Sequence, residues 1–243
     1  MLDLESFQKE INEMDFVKHP YITFMDVLSQ KYNDENLISN WLAFLFDSNI
    51  NGLKRNKSIK QLLLAVGKNN IEIEKEDCIS VKREASTSNQ KRIDILIECS
   101  NTVIIIENKI DSSENGNQTE EYYRYAEKEF CSKKNRIYIY LKPNYNNSIP
   151  SETNFICITY EDLINKLREI DKTDYKDEEA YKYEYLLEFL RVGERYMKNE
   201  EFEISNEVEF YVKNLKYWND ISSAYQSNNS NLVKKIETDI SNT

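Results

Sequence analysis

The stretch RIDILIECSNTVIIIENKI, residues 92–110, places two acids and a lysine at the ends of two apolar runs. Residues 103–106 are all β-branched and have no polar break, which is typical of a strand covered on both faces. Side chains alternate along a strand, so Glu107 and Lys109 point to one face and Asn108 to the other. The stretch therefore predicts a buried strand that ends in an acid and a lysine on the same face.

The turn at Ser100 and Asn101 makes this strand the antiparallel partner of the run before it, IDILIEC. Folding a hairpin about that turn pairs positions whose numbers sum to about 201, within about one residue. Asp94 then lies opposite Glu107. We expect both carboxylates at the same end of the sheet.

Two carboxylates this close repel each other unless a cation or a proton lies between them, and their oxygens suit Mg²⁺ or Mn²⁺. A lysine beside such a metal could orient or deprotonate a water molecule while the metal polarises a phosphate. This would be a hydrolytic site for phosphodiesters. The structural alternative is an ordinary salt bridge at a strand end, and the three residues alone leave both interpretations open.

The rest of the chain alternates between helical and strand periods. A helix is expected after the N-cap signal at Asn33 and Asp34, with apolar residues at helical spacing from Leu37 to Leu45 and an end around residues 47–52. The other expected elements are helices over residues 4–16, 21–32, 57–66, after Gln118, 178–198 and 206–225, and strands over 78–86, 93–99, 102–110, 136–142 and 154–163. This order predicts an α/β fold whose mostly buried mixed sheet is flanked by helices.

The net charge of −11 argues at first sight against a polyanionic partner, yet the acidity is uneven. Residues 151–243 hold 12 basic and 20 acidic residues, which leaves a net charge of only −3 for residues 1–150.

The four cysteines form no CxxC pair, which argues against a zinc or iron–sulfur site. No apolar run approaches the ~20 residues of a membrane span, and the start is acidic, so we expect a cytoplasmic protein without a membrane partner.

The motif set resembles the PD-(D/E)XK nuclease superfamily. Asp94 followed by Glu107-Asn108-Lys109 matches the D…ExK core, and QTEEY, residues 118–122, matches the QxxxY motif of the RecB-like branch. The strings KRIDILIE and IIIENKI are most similar to PD-(D/E)XK family 4. The resemblance covers roughly residues 33–165 and implies a restriction-endonuclease-like core in the order α-β-β-β-α-β, with four or five strands and additional N- and C-terminal helices.

The resemblance also implies roles for the motif residues. Asp94, Glu107 and the backbone carbonyl of Asn108 would bind Mg²⁺ or Mn²⁺, and Lys109 would position the attacking water. Gln118 and Tyr122, at i and i+4 on one helix face, would contact the phosphate backbone or the metal's water shell. Core packing is the alternative for Tyr122.

Two further acids are candidates for the same site. Glu35 shares a helical face with Ile38 and Leu42, and many relatives carry a metal-binding glutamate on the first helix of the fold. A first-turn glutamate favoured by the helix dipole is the competing interpretation. Glu84 could also face the site, or be an exposed charge on an edge strand.

We therefore expect a Mg²⁺-dependent nuclease, with DNA favoured over RNA as the substrate and antiphage defence as a role suggested by the resemblance. The alternatives are an RNA-directed nuclease and a catalytically silent module that binds nucleic acid or protein. The expected organisation is an N-terminal helical segment over 1–32, the nuclease-like core over 33–170 and a helical layer over 171–243. The C-terminal helices could bind a protein partner or form a homodimer.

Overall fold

The computed structural model of this protein describes residues 34–73 and 80–197, and in addition Thr23 and Val27. The helices expected over 4–16 and 206–225 lie outside these residues, and of the helix expected over 21–32 only those two positions are described. The helices are α1 (Glu35–Phe46), α2 (Lys57–Ala65), α3 (Gln118–Glu129), α4 (Tyr160–Leu167) and α5 (Tyr183–Tyr196). The strands are β1 (Ser80–Ser86), β2 (Arg92–Glu98), β3 (Thr102–Asn108), β4 (Asn135–Lys142) and β5 (Ile156–Thr159).

The five strands form one mixed sheet in the order β1-β2-β3-β4-β5. Strand β2 is antiparallel to both β1 and β3, whereas β4 is parallel to both β3 and β5. Ile95 of β2 pairs with Ile106 of β3, which is the register predicted from the turn at Ser100 and Asn101. This mixed sheet with flanking helices confirms the predicted fold class.

Strand β3 is the centre of the sheet, and all seven of its residues are buried. Its odd and even side chains enter different apolar clusters. Ile104 and Ile106 pack in the larger cluster with helices α1, α2, α4 and α5. Val103 and Ile105 pack in the smaller cluster with Tyr122 and other residues of α3. Helices thus cover β3 on both faces, as its unbroken apolar run predicts.

Helix α1 begins where the sequence predicts. The side chain of Asp34 accepts hydrogen bonds from the backbone N–H groups of Asn36 and Leu37, at 3.0 and 3.1 Å, and so caps the helix. Its apolar stripe, which includes Ile38 and Leu42, is completely buried in the larger cluster. The helix is therefore fixed against the sheet.

The C-terminal end of the described region differs from the sequence prediction in detail. A 3₁₀ turn occupies Asp177–Lys182, and α5 begins only at Tyr183. A side chain at Gly193 would collide with Ile164 of α4. The lack of a side chain at this position therefore allows α5 to approach α4 closely. Phe189 and Val192 of α5 lie in the larger cluster with the sheet residues.

The boundaries of the three expected segments, 1–32, 33–170 and 171–243, stay predictions. No helix in the described parts of the chain is long and apolar enough to cross a membrane.

Candidate active site

The site lies at the end of β3, where the apolar run stops. Glu107 is the sixth residue of the strand, Asn108 the last, and Lys109 follows directly. Glu107 is fully buried and Lys109 is 8% exposed. The backbone N–H of Lys109 donates to the carbonyl of Leu141 on β4 at 2.9 Å, so the sheet still holds the chain at this position.

Asp94 comes from the neighbouring strand, as the hairpin register predicts. Its Oδ2 accepts a hydrogen bond from the backbone N–H of Asn108 at 2.8 Å. The side chain thus extends the contact between β2 and β3 beyond their last backbone pair, Ile95 with Ile106. Asp94 and Glu107 are thereby brought together at one end of the sheet.

Burial governs the charge of both carboxyl groups. It raises the pKa of Glu107 to about 8, and the negative charge of Asp94 contributes to the rise. Burial also raises the pKa of Asp94, although the N–H of Asn108 and the positive charges of Lys109 and Arg83 act against it. A proton or a cation is needed to hold these two acids in so confined a space.

Lys109 supplies one such cation. Its Nζ lies 2.6 Å from Oε1 of Glu107. Burial opposes the charge of the ammonium group, but Glu107 and Asp94 outweigh it and raise the pKa of Lys109. Lys109 is therefore positively charged at neutral pH.

The carboxylate pair suits a divalent cation. Both side-chain oxygens of Glu107 are buried, and their partners are the ammonium group of Lys109 and the carboxyl group of Asp94. Two buried acids side by side are costly, and oxygen ligands are those that Mg²⁺ and Mn²⁺ prefer. Within residues 34–73 and 80–197, no three acidic, histidine or cysteine side chains group closely enough to hold a metal ion. The candidate ligand set is therefore the pair itself with nearby backbone oxygen.

Asn108 points to the opposite face, as alternation predicts. Its Nδ2 donates to Oγ of Ser39 on α1 at 2.9 Å, and its Oδ1 accepts from the hydroxyl of Tyr160 on α4 at 2.6 Å. All three residues are buried. The middle residue of the triplet is thus held from behind by two helices.

Gln118 and Tyr122 share one face of α3 and contact each other, as their spacing predicts. Nε2 of Gln118 lies 2.6 Å from the hydroxyl oxygen of Tyr122, and that hydroxyl donates to the backbone carbonyl of Arg92. Tyr122 is fully buried in the smaller cluster, whereas Gln118 is partly exposed. Burial raises the pKa of the Tyr122 hydroxyl, and the nearby negative charge of Glu107 contributes to the rise.

Glu35 lies in the first turn of α1 and contacts the segment that follows Lys109. Its Oε1 accepts from the backbone N–H groups of Ile110 and Ser112, at 3.0 and 3.3 Å, and from Oγ of Ser112 at 2.6 Å. Its negative charge also contributes to the raised pKa of Lys109. Glu35 is therefore close to the site but is engaged with backbone groups.

Glu84 does not face the site. It is exposed, its φ is +47°, and its Oε2 lies 2.9 Å from Nη1 of Arg92. The left-handed backbone interrupts the regular alternation of side chains along β1 at this residue. Of the two interpretations, the exposed edge-strand charge is the one found.

Three residues beside the site were not predicted from the sequence. Arg83 reaches from β1 to Oδ1 of Asn40, 2.9 Å away, and also donates to the backbone carbonyl of Asp94. Ser39 and Tyr160 hold Asn108. Alternation along β1 could have placed Arg83 on the face of α1, but no local pattern links Ser39 or Tyr160 to residue 108.

One comparison with known proteins found a match. The model of the PD-(D/E)XK nuclease superfamily matches residues 23–191, more than half of the chain. The match includes Asp94, the triplet 107–109 and the segment 118–122, and it extends beyond residue 165 into α5. Neither the curated proteins nor the solved structures that were searched gave a match.

Proposed function

We propose that this chain, which belongs to the PD-(D/E)XK nuclease superfamily, is a metal-dependent nuclease that hydrolyses phosphodiester bonds of DNA. The observation that carries the proposal is the convergence of Asp94, Glu107 and Lys109 at the end of β3. A buried pair of acids with a charged lysine is expensive to maintain unless a cation and an anionic substrate meet there.

In this proposal Asp94, Glu107 and the backbone carbonyl of Asn108 hold Mg²⁺ or Mn²⁺. A bound divalent cation would neutralise the two acids and act as a Lewis acid on the phosphate. The burial of both Glu107 oxygens next to the carboxyl group of Asp94 supports its place in this set. The fixed backbone of Asn108, held through its side chain by Ser39 and Tyr160, supports the third ligand.

Lys109 orients the attacking water and stabilises the negative charge that develops on the phosphate. Its raised pKa keeps the ammonium protonated, so it donates hydrogen bonds and does not act as the base. Gln118, on the same face of the sheet, is proposed to contact the phosphate backbone or water beside it. Tyr122 would act with it from the buried side.

The substrate and the biological role are inferred from the family. We propose DNA in preference to RNA, and antiphage defence as the setting, because nucleases of this superfamily often serve there. The proposal includes a cytoplasmic location and a homodimer or protein partner bound through the C-terminal helices.

The decisive experiment incubates the protein with supercoiled plasmid, linear DNA and a single-stranded RNA, each with Mg²⁺, Mn²⁺ or EDTA. Wild type should cleave DNA with either metal and lose activity in EDTA. Lys109→Met should lower the rate by about 100-fold or more, as expected for loss of a group that stabilises the charge developing on the phosphate. Lys82→Met, which removes a lysine paired with Glu98 on the same sheet at 2.9 Å, is the control and should cleave normally.

Cleavage of the RNA but not of either DNA would show that the substrate is RNA. Intact nucleic acid under every condition would contradict the nuclease and favour a binding module on this fold. Equal cleavage by wild type and Lys109→Met would trace the activity to a contaminant.

A further inference from the structure

We propose that Glu35 and Ser39 of α1 are positioning residues that hold the chain on both sides of Lys109, and that Glu35 is not a ligand of the metal. The inference rests on the proposed nuclease function, because it assigns the role of these residues in that site. It starts from contacts made on the face of the sheet opposite to Lys109.

The first contact holds the residues after Lys109. Oε1 of Glu35 accepts from the N–H of Ile110 at 3.0 Å and from the hydroxyl of Ser112 at 2.6 Å. These donors engage one carboxylate oxygen from two residues of the same loop. An oxygen with several short hydrogen bonds is a poor candidate for direct metal binding, because those bonds would have to break first.

The second contact holds the residue before Lys109. Oγ of Ser39, one turn further along α1, accepts from Nδ2 of Asn108 at 2.9 Å. The hydroxyl of Tyr160 donates to the other end of the same amide at 2.6 Å. Asn108 is fully buried, so its amide is confined to this orientation.

The spacing of the two contacts matches the geometry of helix and strand. Residues i and i+4 lie about 6 Å apart on one helix face, and residues i and i+2 about 7 Å apart on one strand face. Glu35 and Ser39 have the first spacing; Asn108 and Ile110 have the second. Lys109 lies between the two held residues and points to the other face, toward Glu107.

Helix α1 is rigid enough for this role. Asp34 caps its first turn, and its apolar face, including Ile38 and Leu42, is completely buried. Among the described residues, Glu35, Asp94 and Glu107 do not come together as a group of three acids that could hold a metal ion. A fixed helix therefore sets the backbone from which Lys109 and Glu107 project.

The two roles for Glu35 have different chemical requirements. Accepting a backbone N–H requires only a lone pair, which an amide also has, whereas a metal ligand of this kind contributes negative charge. Glu35→Gln should therefore keep the positioning role, and Glu35→Ala should lose it. If Glu35 bound the metal, both variants would lose Mn²⁺ affinity to the same extent.

The test uses the full chain and compares wild type, Glu35→Gln, Glu35→Ala and Ser39→Ala. Hydrogen exchange of the amides of Ile110 and Ser112 is measured in EDTA, and Mn²⁺ binding is measured by titration calorimetry. Asp171→Ala is the matched control, because Asp171 accepts from the N–H and hydroxyl of Thr173 at 2.7 and 2.5 Å in a turn after α4. Cleavage rates with Mg²⁺ are measured on the same proteins.

We expect slow exchange at Ile110 in wild type, Glu35→Gln and Asp171→Ala, and exchange at least ~10-fold faster in Glu35→Ala. Glu35→Gln should keep its Mn²⁺ affinity and its cleavage rate within about threefold of wild type. Glu35→Ala should lose ~10-fold in Mn²⁺ affinity or cleavage rate, which is the usual effect of removing a residue that orients the ligands of a metal. Ser39→Ala should lower the cleavage rate without changing the exchange of Ser112.

Equal loss of Mn²⁺ affinity in Glu35→Gln and Glu35→Ala would overturn the inference and make Glu35 a ligand. Unchanged exchange at Ile110 in Glu35→Ala would overturn it as well. If wild type neither binds Mn²⁺ nor cleaves, the proposed function fails. The exchange data still decide whether Glu35 holds the loop.

Discussion

The carboxylate of Asp94 accepts the backbone N–H of Asn108 at 2.8 Å, one step beyond the last backbone pair of β2 and β3. One side chain thus closes the end of the hairpin and also contributes a charge to the site. These two functions can be separated, because an amide oxygen accepts a hydrogen bond but carries no charge.

Asp94→Asn should fold with nearly normal stability and lose cleavage by about 100-fold or more, since the proposed metal site loses a charged ligand. Asp94→Ala should lose cleavage and also about 1–3 kcal/mol of stability, because the N–H of Asn108 is left without its acceptor. Urea denaturation and plasmid cleavage with Mg²⁺ check both statements. Normal cleavage by Asp94→Asn would remove Asp94 from the ligand set.

The raised pKa of Glu107 predicts how stability depends on pH in EDTA. The folded-state pKa is about 8, above the ordinary value of 4.5, so the folded protein holds this proton more tightly than the unfolded chain. The contribution of Glu107 to the free energy of unfolding should therefore be fully present below pH 4.5 and be lost as the pH rises through about 8. Urea denaturation at several pH values in EDTA measures this slope, and added Mg²⁺ should reduce it.

Glu107→Gln should remove most of that slope and make the metal-free protein more stable at pH 8, by about 1–3 kcal/mol, because a buried carboxylate that is repelled by Asp94 is replaced by a neutral group. Glu98→Gln, on the neighbouring strand and paired with Lys82, is the control and should retain the slope. A slope that is the same in wild type and Glu107→Gln would show that other groups cause it.

Gln118 and Tyr122 should act as one unit. The carbonyl of Arg92 can only accept, so Tyr122 donates its single hydroxyl proton there, and its oxygen accepts from Nε2 of Gln118. Tyr122→Phe should reduce kcat about 10-fold with little change in KM, because the amide of Gln118 is no longer held.

A double-mutant cycle distinguishes this coupling from a purely structural effect. Gln118→Ala with Tyr122→Phe should be no slower than Gln118→Ala alone, since Tyr122 has no partner left to orient. Tyr138→Phe removes a hydroxyl from the same apolar cluster, one bonded to Glu127 at 2.7 Å, and should leave kcat unchanged. Additive losses in the cycle would contradict the coupling.

Tyr160→Phe should destabilise the protein by about 1–3 kcal/mol, because it leaves Oδ1 of the fully buried Asn108 without a donor. Tyr145→Phe removes an exposed hydroxyl that contacts Asp111 at 3.1 Å, and should cost about 0.5 kcal/mol or less. Thermal unfolding of the three proteins gives the comparison. Equal midpoints for wild type and Tyr160→Phe would mean that another group satisfies Asn108.

The sequence predicted those features of the site that local periodicity determines. The two-residue turn fixes the hairpin register, and the register brings Asp94 to Glu107. Strand alternation separates Asn108 from its two neighbours, and helical spacing pairs Gln118 with Tyr122.

The contacts that sequence alone did not predict join distant parts of the chain or depend on unusual backbone. Ser39 and Tyr160 lie 69 and 52 residues from Asn108 in the sequence. Serine and tyrosine occur both on surfaces and in cores, so the residue types did not indicate burial. Glu84 was assigned to a regular strand, but its positive φ turns it outward to Arg92. The burial of Tyr122 depends on how α3 packs, which its amphipathic pattern leaves open.

Strand β3 is buried along its entire length, and the segment after Lys109 lies against the loop over 143–155, where Nδ2 of Asn146 donates to the carbonyls of Ile110 and Ser112 at 2.8 and 2.9 Å. A polymeric substrate that reaches this end of the strand would lie across the loops over 111–117 and 143–155. We expect selectivity for sequence, strandedness or end structure to reside there, so that exchanging these loops would alter what is cut while leaving the cutting reaction intact.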